Sequence, residues 1–252
     1  MVSMISAWTY VRGFEPLSLC DWPGRSSCVL FVGGCNLMCP TCHNADMAWR
    51  PHGLDVIPRE EVARYIRLRG RWLDGIVVSG GEPTTVKELP ALLEDIRSFG
   101  LPLKLDSNGM RPEVLEHVLG EKLVDAVFVD VKGPYEKYPA LTGNQVSGSH
   151  AKRNLEAVFA LAKRHPGVFT FRQTRVPILN DMDVEESRGY LPPGYTLRMQ
   201  QYIPPGRQHA TADSETRRMP GNLVIGPNSA GNFESPEGMR HQGPALVQAV
   251  GA

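Results

Sequence analysis

The 252-residue sequence predicts an α/β fold, an open or partial barrel of parallel strands that alternate with helices. Two observations support this prediction. Short apolar runs alternate along the chain with longer amphipathic stretches, which is the pattern of strand–helix units around a parallel sheet. Polar clusters follow successive apolar runs, at the strand ends where barrels of this type gather their chemistry. A doubly wound sheet is the alternative that the same pattern leaves open.

Six apolar segments predict the strands of this sheet. Most are short and rich in Val, Ile, Leu or Phe, and they end near Gly, Pro or a polar cluster, as expected of strands buried on both faces. The segments are 26–34, 75–81, 101–109, 125–133, 168–177 and 196–204. Six such repeats with short connections indicate a partial (β/α)6 barrel.

Amphipathic stretches between these segments predict the helices. Apolar residues recur in them at three- and four-residue spacing, and glycines follow several of the predicted ends. The stretches are 59–70, 84–100, 111–124 and 150–167. Pro90 is unfavourable inside the second stretch, because proline removes a backbone donor from a helix interior.

The sequence changes character near its C-terminal end. Residues 1–203 carry the strand–helix pattern, whereas residues 204–252 contain 13 Gly or Pro among 49 positions and only short apolar pieces. Too little apolar surface is present there to order a core. The sequence therefore predicts a barrel over 1–203 followed by a loosely structured tail over 204–252.

The composition limits which classes of partner and which cellular compartment fit the protein. Lys plus Arg number 27 and so do Asp plus Glu, so no global field favours nucleic acid or an anionic membrane as a partner. The N-terminal segment lacks the pattern of a signal peptide, and no apolar stretch approaches the ~18 residues of a membrane span. Five cysteines, three of them in one loop, fit a reducing compartment better than a disulfide framework. We therefore expect a cytoplasmic protein.

Three of those cysteines are crowded after the first predicted strand. In CNLMCPTCHN, Cys35, Cys39 and Cys42 have the spacing Cys-x3-Cys-x2-Cys. Thiolates bind zinc or iron–sulfur clusters. Three thiolates on a [4Fe–4S] cluster would leave one iron open to a substrate or cofactor.

Structural zinc would need a fourth protein ligand. His43 is adjacent to Cys42, and neighbouring loop residues rarely point at one metal. Cys20 and Cys28 are the other candidates, although Cys28 lies inside an apolar strand and fits the core better.

Three further polar clusters follow the later strands: SGGEP at 79–83, DSNG at 106–109 and DVK at 130–132. The glycines of the first allow the backbone to approach a ligand closely, and its glutamate adds an anion. Taken singly, each cluster is also compatible with an ordinary turn, a helix cap or surface charge. Their shared position at strand ends predicts one common active site.

Together these motifs resemble the radical S-adenosylmethionine (radical SAM) superfamily, whose signature loop has the same cysteine spacing. The opening from 13 to 44, with its DWPG turn, is similar to that of activating proteins for glycyl radical enzymes, such as those of anaerobic ribonucleoside-triphosphate reductase and pyruvate formate-lyase. The resemblance covers about 11–180. It implies a partial TIM-like barrel of the radical SAM type, a [4Fe–4S] cluster on the three cysteines and S-adenosylmethionine (SAM) on the open iron.

The resemblance also implies a reaction and its partners. One-electron reduction of SAM would give a 5′-deoxyadenosyl radical, which removes hydrogen from a glycine of a partner glycyl radical enzyme. A flavodoxin or ferredoxin-type protein would supply the electron. The alternatives are a radical SAM enzyme that acts on a small molecule or a peptide, and a non-catalytic zinc or iron–sulfur binding module.

Individual residues receive roles from the resemblance. Cys35, Cys39 and Cys42 would ligate the cluster, and Lys132 would face the substrate as a catalytic residue. A monovalent cation beside the methionine carboxylate is also implied, near two aspartates and a hydroxyl. The residues that would contact the cofactor are Asn44, Gly80, Gly81, Glu82, Asp106, Ser107, Asp130 and Arg172.

Overall fold

The computed structural model of the protein describes residues 7–204, which form one seven-stranded sheet with helices on its outer face. The strands follow one another in the sheet in chain order, from β1 to β7. They are β1 (Val11–Ser18), β2 (Ser27–Val32), β3 (Gly75–Gly80), β4 (Leu103–Ser107), β5 (Ala126–Asp130), β6 (Phe169–Arg175) and β7 (Leu197–Gln201). Strands β2 to β7 are parallel and correspond to the six predicted strands.

The sheet is open, because β1 and β7 are its two ends. The predicted α/β class and partial barrel are therefore confirmed. Strand β1 was not predicted, and it pairs with β2 in the antiparallel direction. Its sequence, VRGFEPLS, contains a glycine and a proline and is buried fully only at its two ends, so it lacks the apolar run of a buried strand.

Seven α-helices lie wholly within the described part of the chain and connect or flank the strands. They are α1 (Ala45–Trp49), α2 (Arg59–Arg69), α3 (Leu89–Arg97), α4 (Pro112–Gly120), α5 (Tyr138–Leu141), α6 (Gly148–Arg164) and α7 (Asp181–Gly189). The helix predicted over 84–100 is shorter than expected, and Pro90 lies in its first turn, where a missing donor costs nothing.

Helix α7 was not predicted, because its sequence DMDVEESRG is mostly polar. A capping box at its start explains why it forms. The Asn180 side chain accepts from the backbone N–H of Asp183, and the Asp183 carboxylate accepts from the N–H of Asn180.

Two apolar layers lie on the two faces of the sheet. Alternate strand residues such as Leu30 and Val78 face the helices, while Val29 and Val77 face the inside of the barrel. Trp22, from the DWPG turn, belongs to this inner layer. Its ring lies so close to Gly75 that a Cβ there would be 2.6 Å from it. The inner layer supports the polar residues at the carboxyl ends of the same strands.

Most of the predicted tail, 204–252, lies outside the described residues, so the division of the chain at residue 203 stays a prediction. Within residues 7–204, none of the helices combines the length and the apolar character needed to cross a lipid bilayer.

Candidate active site

A cavity of about 310 Å³ opens at the carboxyl ends of the parallel strands. This volume is at the lower end of the ~300–1,000 Å³ typical of small-molecule sites. Every residue that the sequence assigns to the site lines this one cavity: Cys35, Cys39, Cys42, Asn44, Gly80, Gly81, Glu82, Asp106, Ser107, Asp130, Lys132 and Arg172. The structure therefore brings the predicted residues together, while their binding roles stay predictions.

The cysteine loop follows β2 and begins with two glycines. Gly34 has φ +93°, a left-handed conformation that favours glycine. The Cys35 sulfur accepts a hydrogen bond from the backbone N–H of Leu37 at 3.4 Å, and the N–H of Cys42 donates to the Cys39 carbonyl at 3.0 Å. Burial raises the pKa of Cys35 to about 12 and also raises the pKa of Cys42. The thiolate form there therefore needs a positively charged partner, such as iron.

The glycines of SGGEP pack against the cysteine loop. A Cβ on Gly81 would lie 2.0 Å from the Gly34 carbonyl oxygen, and one on Gly80 would lie 2.3 Å from the Val32 carbonyl oxygen. The N–H of Gly81 donates to that Val32 oxygen at 2.8 Å, and the Asn44 amide donates to the Gly80 carbonyl at 3.2 Å. In the structure these glycines allow the SGGEP loop to approach the cysteine loop and the end of β2, and their close approach to a ligand stays a prediction.

Glu82 ties the same loop to the end of β4. It is 1% exposed, and its carboxylate accepts hydrogen bonds from the Thr84 hydroxyl at 2.6 Å, the Ser107 hydroxyl at 2.9 Å and the Asn108 backbone N–H at 2.6 Å. Burial raises the pKa of Glu82, while these hydrogen bonds favour the charged form. Glu82 is therefore held rigidly by donors of its own chain.

Two aspartates at the ends of β4 and β5 form an ion-pair network with cationic side chains. Arg172 Nε donates to Asp130 Oδ1 at 2.5 Å, and its Nη2 lies 3.4 Å from Asp106 Oδ2. Lys132 Nζ donates to Asp130 Oδ2 at 3.0 Å. The strand register causes this meeting, because Asp130 pairs directly with Arg172 across β5 and β6.

These contacts set the charge states of the network. Burial opposes the charges of Asp130, Lys132 and Arg172, but the facing groups outweigh burial. The pKa of Asp130 is lowered by Arg172 and Lys132, and the pKa values of Lys132 and Arg172 are raised by the aspartates. All three groups are therefore charged at neutral pH.

Sequence reasoning missed two residues that support the site. Lys104, in β4, is fully buried and donates to Asp106 Oδ1 at 2.5 Å. Asn108 donates from its amide to Asn36 Oδ1 at 2.8 Å, which joins β4 to the cysteine loop. A signal for Lys104 was present: a lysine two positions before Asp106 in an apolar strand must share its face.

The three thiols line the same cavity, and thiolates bind zinc or iron–sulfur clusters. Within residues 7–204, no group of three or more His, Cys, Asp or Glu side chains is already arranged to hold a metal ion. His43 is engaged elsewhere, since its Nε2 donates to the Ile203 carbonyl at 2.6 Å. This contact makes His43 a poorer candidate for the fourth ligand of structural zinc.

The fold and this site define a class of protein, and comparison with known families identifies it. Residues 29–191 match the model of the radical SAM superfamily. The chain belongs to this superfamily of enzymes.

Two relatives show which members of the superfamily the chain is similar to. A protein of Methanocaldococcus jannaschii, named "Putative glycyl-radical enzyme activating enzyme", is 36% identical over 70% of this chain and 72% of its own length. The pyruvate formate-lyase-activating enzyme of Clostridium pasteurianum is 29% identical over 68% of this chain and 70% of its own length. The predicted resemblance to activating enzymes is confirmed.

A solved structure supports the fold. The structure of Streptococcus suis SuiB bound to the precursor peptide SuiA aligns with a TM-score of 0.51 over 69% of this chain and 39% of that protein, at 16% identity. This likeness concerns the arrangement of strands and helices.

Proposed function

We propose that the protein activates a glycyl radical enzyme by removing a hydrogen atom from the α-carbon of one glycine in that partner. When bound, a [4Fe–4S] cluster and SAM supply a one-electron reductive cleavage that gives a 5′-deoxyadenosyl radical. One observation carries the proposal: three thiols and a cationic network converge on one cavity, in a chain that is similar over 70% of its length to a named activating enzyme.

The residues of the chain would hold and orient the reacting groups. Cys35, Cys39 and Cys42 would anchor the cluster. Arg172 and Lys132 line the cavity, and their positive charges would attract the carboxylate of SAM. Lys132 is 27% exposed on its side chain, so it is the network lysine able to face an incoming peptide.

The finer assignments belong to the same proposal. We propose a flavodoxin or ferredoxin-type protein as the electron donor and the cytoplasm as the compartment. The remaining cofactor contacts would come from Asn44, Gly80 and Gly81 on one side of the cavity and from Asp106, Ser107 and Asp130 on the other.

The test is an anaerobic assay with a partner protein that carries a C-terminal glycyl radical loop. The reconstituted, reduced protein is incubated with SAM and the partner. We expect 5′-deoxyadenosine in solution and a glycine-centred doublet in the electron paramagnetic resonance spectrum of the partner. If 5′-deoxyadenosine forms only when a small metabolite or a short peptide is added, and no doublet appears, the proposed substrate is wrong.

Two cysteine variants test the ligand assignment. Cys39→Ala should abolish the brown iron–sulfur chromophore and the cleavage of SAM. Cys28→Ala is the matched control, because Cys28 is fully buried in the apolar core and does not line the cavity. It should retain both properties and lose only on the order of 1 kcal/mol of stability. Turnover in the Cys39→Ala variant would refute the assignment.

A further inference from the structure

A fully buried lysine lies directly behind the cofactor cavity. Lys104 is 0% exposed and is not among the residues that line the cavity. Its ammonium donates to Asp106 Oδ1 at 2.5 Å and to the Asp21 backbone carbonyl at 2.8 Å. It also lies 4.2 Å from the centre of the Phe128 ring, within the range of a cation–π interaction. A buried lysine is rare unless it is paired, and here the pairing is complete.

The geometry of strands β4 and β5 fixes the position of the Lys104 ammonium. Lys104 and Asp106 are two residues apart on β4 and so share its inner face. Phe128 on β5 lies opposite Asp106 in the parallel register. Burial lowers the pKa of Lys104, whereas the Asp106 carboxylate favours its charged form.

The monovalent cation implied by the family resemblance does not fit this arrangement. Each carboxylate oxygen of Asp106 and Asp130 already faces a cationic group: Lys104 and Arg172 on the first, Arg172 and Lys132 on the second. Three cationic side chains thus accompany two carboxylates. A further cation would have to displace one of these cationic donors to reach a carboxylate oxygen of Asp106 or Asp130.

The two other carboxylates that line the cavity, Glu82 and Asp21, are engaged by hydrogen-bond donors of the chain itself. Glu82 is engaged by donors from Thr84, Ser107 and Asn108. The Asp21 carboxylate accepts from the Ser18 hydroxyl at 2.5 Å. Neither carboxylate is left without a partner.

We propose that the Lys104 ammonium is a built-in cation: it takes the place of a monovalent metal ion beside Asp106 and, through Asp106, positions Arg172 for the carboxylate of SAM. Lys104 acts through Asp106 and is a positioning residue. The inference rests on the proposed use of SAM but does not depend on the identity of the partner protein.

The first experiment uses the unaltered protein. SAM binding to the reconstituted protein is measured by equilibrium titration in potassium, sodium or choline chloride at equal ionic strength, and the melting temperature of the cluster-free protein is measured in the same salts. We expect the same affinity and the same melting temperature in all three. A specific gain in either quantity with potassium or sodium would overturn the inference.

Two variants then test Lys104 directly. Lys104→Ala removes the ammonium and leaves space for a small cation, whereas Lys104→Met removes the charge and fills the space. Both should bind SAM about tenfold more weakly in choline chloride, as expected for the loss of one charge-assisted hydrogen bond. Ammonium or potassium should restore SAM binding, and raise the melting temperature of the cluster-free protein, only in Lys104→Ala.

The outcomes separate the possible failures. If neither variant responds to ammonium or potassium, Lys104 has a packing role and the inference is wrong. If a variant does not fold, the salt series on the unaltered protein decides alone. If the unaltered protein binds no SAM after reconstitution, the proposed function fails first. If SAM is bound and cleaved but no glycyl radical forms, only the proposed substrate fails.

Discussion

At the scale of single residues, the site depends on glycines, whose lack of a side chain allows two loops to come into close contact. Gly81 and Gly34 bring the SGGEP loop and the cysteine loop into backbone contact, and the N–H of Glu82 donates to the Gly34 carbonyl at 2.8 Å. This contact fixes the start of the cysteine loop against β3. The glycine pair therefore aligns the thiols with the rest of the cavity.

Gly81→Ala tests this contact. The new Cβ would lie 2.0 Å from the Gly34 carbonyl oxygen, so the backbone must move. We expect a loss of at least ~3 kcal/mol in the free energy of unfolding, measured by urea denaturation of the cluster-free protein, with less iron bound after reconstitution. Gly120→Ala is the control, since nothing lies within 4 Å of a Cβ at that helical position. Equal stability of the two variants would contradict the role given to Gly81.

At the scale of elements, the sequence predicted those strands and helices whose formation follows the spacing of apolar residues. Strands β2 to β5 are short runs of mostly buried residues, and their carboxyl ends carry the polar clusters from which one shared site was predicted. Periodicity could not predict β1 or α7, because β1 is held by antiparallel pairing to β2 and α7 by the Asn180 capping box. Nor could it predict that Lys104 is buried as an ion pair, since that depends on Phe128 and Asp21 from distant parts of the chain.

Helices α2 and α3 are joined through one buried carboxylate. Asp95 on α3 is 7% exposed and accepts from Arg59 Nε and Nη2 at 2.5 and 2.8 Å, and from the Trp8 indole at 2.8 Å. Burial alone would raise the pKa of Asp95, but Arg59 and Trp8 outweigh it and lower that pKa. The charged carboxylate is thus the form that stabilises this junction.

Asp95→Asn should destabilise the protein in a pH-dependent way. The pKa of Asp95 is lower in the folded protein than the ~3.9 expected in the unfolded chain, so its stabilisation is full above that value and is lost as the pH falls through the folded pKa. We expect a loss of about 2 kcal/mol at pH 7 and a smaller difference from wild type at pH 3, measured by urea denaturation. Glu94→Gln, an exposed neighbour on the same helix, should change stability by less than ~0.5 kcal/mol at either pH. A difference that grows as the pH falls would contradict the assignment.

At the scale of the whole molecule, the residues that build the site lie well before the C-terminal end. The cavity is lined by residues between Asp21 and Gln200, and the buried apolar clusters lie between Ala7 and Leu197. The segment after β7 still contributes, because the Ile203 carbonyl accepts from His43 in the cysteine loop. Among the described residues, 7–204, the contacts that shape the cavity thus come from both the barrel strands and the segment just after β7.

A chain that ends at Pro204 tests the predicted division between barrel and tail. We expect the truncated, cluster-free protein to melt within about 2 °C of the full chain, since a loss of 1 kcal/mol would shift a domain of this size by roughly 2–4 °C. Iron content and partner-independent formation of 5′-deoxyadenosine should be unchanged, because the contacts around the cavity are retained. Any loss should then appear only in the yield of glycyl radical on the partner, which would assign residues 205–252 to partner binding. A drop in iron content would instead show that these residues help to build the site, and the division at residue 203 would be wrong.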